Sequence, residues 1–135
     1  MITADVRLDN RKELFKWLKI WPSDQLTCPD SLLLVKGFEK WGKKCVDYFL
    51  GDFAFAIWDK KALELFCARG TNCNRQFVYY RTPSQFIFAT EIQAIVKLSC
   101  IPRELNEKEV FDALMGLHVG GTSLEGTFFK SLKKF

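Results

Sequence analysis

The chain has 135 residues, 48% of them hydrophobic, and 20 Lys and Arg against 16 Asp and Glu for a net charge of +4. That length supports one compact domain that buries about two thirds of its unfolded surface. The basic excess is spread along the chain except at Lys130, Lys133 and Lys134, which marks a solvated face rather than a nucleic-acid footprint. No apolar stretch approaches the roughly 18 residues of a helical membrane span.

No charged start followed by an apolar region marks a secretory signal, so a soluble cytoplasmic protein is expected. The five cysteines, Cys28, Cys45, Cys67, Cys73 and Cys100, are odd in number and sit in several apolar contexts. Such a set argues for reduced thiols and against a disulfide framework. With no C-x-x-C spacing and His118 as the single histidine, no metal site is expected.

In chain order, Ile2 to Leu8 alternates as a strand. Asp9-Asn10 then opens a helix with Asn10 and Glu13 at capping-box spacing and a buried stripe of Leu14, Phe15 and Leu18. After a loop through Trp21-Pro22-Ser23, Thr27-Cys28-Pro29-Asp30 starts a second helix, lined on one side by Leu34, Val35, Phe38 and Trp41 and ended by Gly42. A short helix from Lys44 to Leu50 comes next and stops at Gly51.

The stretch Gly51 to Asp59 alternates large and small side chains. In a strand, Phe53, Phe55 and Ile57 face one way to fill a core, and Ala54 and Ala56 face the other and admit a close neighbour. Ala62 to Ala68, Phe77 to Arg81 and Phe86 to Ala89 read as further strands, joined by short polar turns into an antiparallel meander. Thr90-Glu91-Ile92-Gln93 gives a capping box for a helix carrying Ile92, Ile95 and Val96. A last helix starts at Asn106, with Glu109 at its third position and Leu105 set to staple against Val110. From Gly116 the pattern is that of a loop, followed by Thr127-Phe128-Phe129. With helices before, strands between and helices after, the class is α+β with helices outside antiparallel sheets.

Four separated stretches carry a family resemblance: Ala4 through Arg11, Pro29-Asp30 through Trp41-Gly42, Gly51 through Asp59, and Phe88-Ala89-Thr90-Glu91-Ile92 with Pro102-Arg103-Glu104-Leu105. Together, in order and spacing, they resemble the glutaminase domain of asparagine synthetase-like enzymes, the N-terminal nucleophile class of glutamine amidotransferases. The resemblance implies an αββα sandwich of two antiparallel sheets, a single partial domain over 1–135, incomplete at the N-terminal strands.

It also implies a chemistry. In the family an N-terminal cysteine attacks the glutamine carboxamide, its α-amine acts as base, and an Asn-Gly pair supplies the oxyanion hole. Met1 cannot replace that nucleophile, because a thioether has no ionisable proton. Internal cysteines lack an adjacent α-amine, and Cys28 and Cys73, in expected loops, are the two candidates for a reactive thiol. No catalytic residue and no cofactor are therefore expected. The Asn-Gly pair aligns with Asp5-Val6, and an ionised carboxylate there repels the oxyanion it would have to stabilise.

Asp30 matches the family aspartate that receives the substrate α-amine. Asp30 and Asp5 are thus the candidate substrate-binding residues, the alternative for Asp30 being to complement the helix dipole. Between Ala68-Arg69 and Tyr79-Tyr80 the family's Asp-x-Phe/Leu-Gly-x-Arg/Lys-Pro is replaced by Gly70 through Gln76, keeping only the basic Arg75. The expected function is a truncated amidotransferase domain without glutaminase activity, a scaffold for a synthetase domain or a gene remnant. Its exposed sheet edges would be covered by that partner or by a homodimer. The alternatives are part of a glutamine-hydrolysing enzyme completed by another segment or chain, and a glutamine sensor that uses Asp30.

Overall fold

The structure, a computed structural model, describes residues 1–71, 74–116 and 126–135. It divides into two compact units, Met1–Arg75 and Gln76–Phe135.

The first unit is built on strand β2 (Gly51–Asp59), which lies between β1 (Ile2–Leu8) and β3 (Glu64–Arg69) in an antiparallel sheet. The register runs from Ile2 opposite Ile57 to Leu8 opposite Gly51, and from Ala54 opposite Arg69 to Asp59 opposite Glu64. Because side chains alternate across a strand, this register sorts the sheet into two faces. Ile2, Ala4, Val6 and Leu8 share one face with Phe53, Phe55, Ile57, Phe66 and Ala68, and all of these belong to the main core cluster. Helices α1 (Arg11–Trp17) and α2 (Asp30–Trp41) add Leu14, Phe15, Leu33 and Leu34 to that cluster. Full burial of a side chain such as Phe55 contributes about 1.5–3 kcal/mol.

The buried residues of α2 are Leu33, Leu34 and Gly37; of the expected stripe, Leu34 is buried and Phe38 and Trp41 pack partly buried against the same core, with Leu33 and Gly37 added. At Gly37 a Cβ would lie 2.6 Å from Cζ of Phe49, so the helix presents its barest point to that ring. Gly42, at φ +60°, ends α2 as expected. The next element is a 3-10 helix, Gly42–Tyr48, instead of an α-helix from Lys44.

Asn10 stands at the N-cap of α1 without capping it. Its amide donates to the Tyr48 carbonyl (2.9 Å) and its oxygen accepts from the Leu50 N–H (3.1 Å). Asp9 N–H reaches the Leu50 carbonyl at 2.8 Å. The side chain is thus drawn off the helix end by two backbone groups distant in sequence, which local spacing does not encode.

The second unit holds β4 (Val78–Arg81), β5 (Phe86–Ala89), α3 (Ile92–Val96), α4 (Glu107–Leu114) and β6 (Leu132–Lys134). Its antiparallel sheet has the order β5-β4-β6. The expected single meander is therefore corrected: β2 with β3 and β4 with β5 are hairpin pairs, but they belong to separate three-stranded sheets. Strand β6 is absent from the sequence expectations, since three residues rich in lysine carry no readable alternation. A core of Val78, Ile95, Ile101 and Leu132 holds this unit together. The expected capping boxes are missing here too, as Glu91 and Asn106 stand at the N-caps of α3 and α4 without side-chain hydrogen bonds. Leu105 is exposed, and its backbone bridges to Phe129.

Gly51 opens β2 at φ +136°, where a Cβ would collide with the Arg7 carbonyl oxygen. Replacing Gly51 by Ala is expected to lower the unfolding free energy by about 2 kcal/mol or more in urea titrations.

Candidate functional site

The face of the first sheet opposite its core carries Thr3, Asp5 and Arg7 of β1 beside Asp52, Ala54 and Ala56 of β2 and Cys67 and Arg69 of β3. Ala54 separates Asp5 from Arg69 along one cross-strand row, and its methyl group leaves room above the sheet. Arg75 enters there. Its Nη1 lies 3.0 Å from both carboxylate oxygens of Asp5. Arg69 in turn donates from Nε to the Arg75 carbonyl at 2.6 Å. The chain that leaves β3 is thereby returned to β1 through one ion pair and one side-chain-to-backbone bond. Both partners of the ion pair are about two-fifths exposed, so its direct contribution is modest, on the order of 1 kcal/mol or less.

Asp30 lies elsewhere, as the first residue of α2 and the acid of its first turn. One carboxylate oxygen accepts the Leu8 N–H at 2.8 Å and the other pairs with the Arg11 guanidinium. Arg11 also donates to the Cys28 carbonyl at 2.7 Å and lies over the Phe15 ring. The end of β1, the start of α1 and the loop before α2 therefore converge on one carboxylate. Its side chain is 15% exposed, and charge-assisted bonds in such a setting are the stronger kind.

The contacts of the two candidate acids share no residue. Asp5 belongs to the alanine face and Asp30 to the junction of β1 with the helices. Sequence reasoning does not single out Arg11 or Arg69. It marks Arg75 only as a retained basic residue, because nothing local says which carboxylate it meets.

Of the candidate reactive thiols, Cys28 is buried in the core, with its Sγ near the Pro29 carbonyl at 3.7 Å. Cys28 keeps its expected loop position before α2, and its burial favours a structural thiol over a reactive one. Cys73 falls outside the described residues. Burial pushes the thiols of Cys45 and Cys67 up to about 11, which keeps both protonated and poorly nucleophilic near neutral pH. Among the described residues no group of three or more His, Cys, Asp or Glu is arranged to hold a metal ion, and no helix is long and apolar enough to cross a membrane.

The sheet, its helices and the motif residues that they position define a domain of the glutamine amidotransferase class. Residues 1–97 match the family model of the glutamine amidotransferase domain, and the chain belongs to that family. It is 32% identical over 128 residues to glutamine-hydrolysing asparagine synthetase 3 of Bacillus subtilis, covering 94% of this chain and 20% of that protein. A putative glutamine-hydrolysing asparagine synthetase 2 of Methanocaldococcus jannaschii is 32% identical over 109 residues, covering 78% of this chain and 20% of the relative. The chain thus spans about a fifth of the length of these relatives.

A double-mutant cycle of Arg11→Ala and Asp30→Ala, read by urea unfolding, is expected to show a coupling of about 1–3 kcal/mol. Additive effects of the two substitutions would mean that the bridge holds nothing.

Proposed function

We propose that this chain is a glutamine amidotransferase-family domain that does not release ammonia from glutamine and serves as a non-catalytic companion to a synthetase-type domain. The observation that carries the reading is the Asp5–Arg75 pair on the alanine face of β1. In the family's pattern, Asp5-Val6 stands where an Asn-Gly pair donates hydrogen bonds to the tetrahedral oxyanion. An ionised carboxylate accepts and does not donate, and its charge opposes the oxyanion. Arg75, the nearby cation, is turned onto Asp5.

Asp30 supports the same conclusion. The Asp30 carboxylate is largely buried, accepts the Leu8 N–H and has its charge matched by the Arg11 guanidinium, so a substrate ammonium would compete with Arg11 for it. We assign Asp30 to the fold on this ground. A glutamine sensor built on Asp30 would have to share its carboxylate with Arg11. The domain falls within the αββα sandwich class to which its motifs point, and the three-stranded antiparallel sheet of each unit supports that assignment. A cytoplasmic setting accords with the free thiols of Cys28, Cys45, Cys67 and Cys100. Exposed apolar side chains such as Trp21, Leu26 and Leu63 favour a covering partner, either a synthetase-type domain or a second copy.

A second reading keeps the enzyme: this chain is part of a glutamine-hydrolysing synthetase, and the nucleophile comes from another segment. The relation to the Bacillus subtilis enzyme over 94% of this chain favours it. Glutamate formation from glutamine separates the two readings, measured on the protein alone and with a peptide bearing the family's N-terminal cysteine strand. We expect the blank rate in both cases. Turnover by the protein alone contradicts the proposal outright, and turnover only with the peptide establishes the second reading.

A further inference from the structure

The second unit carries a recess outside the site described above. Alternation along β4 sends Val78 and Tyr80 into the cluster with Ile87, Ala89 and Leu132, which leaves Tyr79 and Arg81 on the opposite face. The register places Lys133 directly across from Tyr79 on β6, and Phe88 and Phe86 across from Tyr79 and Arg81 on β5. Tyr79 stacks on Phe86 with ring centroids 5.6 Å apart. Beside this pair lies a cavity of about 530 Å³, whose described lining is Tyr79, Arg81, Thr82, Pro83, Ser131 and Lys133.

Two cations therefore line one recess on diagonal positions of adjacent strands, roughly 7–8 Å apart. Neither Arg81 nor Lys133 has an ion-pair or hydrogen-bond partner for its side chain among the described residues. Elsewhere in the unit, Lys130 is paired with Glu104 and Lys108 with Asp112. Like charges on diagonal sheet positions repel each other, and a shared anion relieves that repulsion. The rim is held in place before any ligand arrives. Thr82 N–H donates to the Gln85 carbonyl at 2.8 Å and Gln85 N–H donates to Thr82 Oγ1 at 3.0 Å, closing the turn around Pro83. Ser131 Oγ donates to the Pro102 carbonyl at 2.9 Å.

We propose that this recess binds a phosphate dianion, free or as an aromatic monoester, with Arg81 and Lys133 as its charged donors and the Tyr79 hydroxyl as a third. A dianion neutralises both cations, whereas a single carboxylate neutralises one. An extended polyanion needs a track of cations, and the described lining offers two. The Tyr79–Phe86 stack beside the cations supplies an aromatic surface for an ester group.

The test is an NMR titration of the full-length chain with inorganic phosphate and, separately, phenyl phosphate, each at constant ionic strength set with sodium chloride. Saturable shifts of the Tyr79, Arg81, Thr82, Ser131 and Lys133 amides are expected. Arg81→Gln and Lys133→Gln should each weaken binding about tenfold or more, the loss of one charge-assisted bond, with the rest of the spectrum unchanged. Tighter binding of phenyl phosphate supports the monoester, and equal binding supports free phosphate. Shifts that do not saturate, that chloride reproduces, or that persist unchanged in both variants overturn the proposal.

Discussion

Strand β2 sits between two antiparallel partners, and its two-residue alternation decides what both sides of the first sheet can do. Phe53, Phe55 and Ile57 point into the cluster that α1 and α2 close, while Ala54 and Ala56 leave the other face low. A slip of one residue in the β1–β2 register would carry Val6 out of the core and Asp5 into it. Burying that carboxylate among phenylalanines without a partner would cost several kcal/mol. Register, core and the position of Asp5 are therefore one constraint, and Gly51 fixes its origin by letting the backbone of β2 come close to Arg7.

Around that sheet, polar side chains act as clasps between segments that the core alone would not orient. Asp30 joins the end of β1 to Arg11 and, through Arg11, to the loop before α2. Asn10 joins the start of α1 to the turn before β2. Arg75 and Arg69 return the segment after β3 to β1.

Much of the first unit is legible in the sequence because its strands and helices carry strong periodicity. Gly51 to Asp59 alternates without a break, and Pro29-Asp30 and Gly42 bracket α2. Departures fall where tertiary partners outcompete local ones. Asn10 and Thr90 have capping spacing, but Asn10 bonds distant backbone groups and α3 starts from Glu91. The stripe of α2 extends to Gly37, which no apolar spacing marks, because Phe49 packs closely over it. Strand β6 is illegible, since its identity depends on pairing with β4 and not on its own residues. At the candidate site, the sequence motifs point to Asp5 and Asp30, while their partners Arg75 and Arg11 become visible only once the chain is folded.

The central proposal is that Asp5 and Asp30 are engaged by Arg75 and Arg11 within the domain and do not bind glutamine. Isothermal titration of glutamine into the purified chain tests it most directly, because one trace records saturable binding and any continuing heat of hydrolysis. The account predicts no heat beyond dilution. A saturable isotherm that Asp30→Ala abolishes, while the variant keeps its fold, would contradict it.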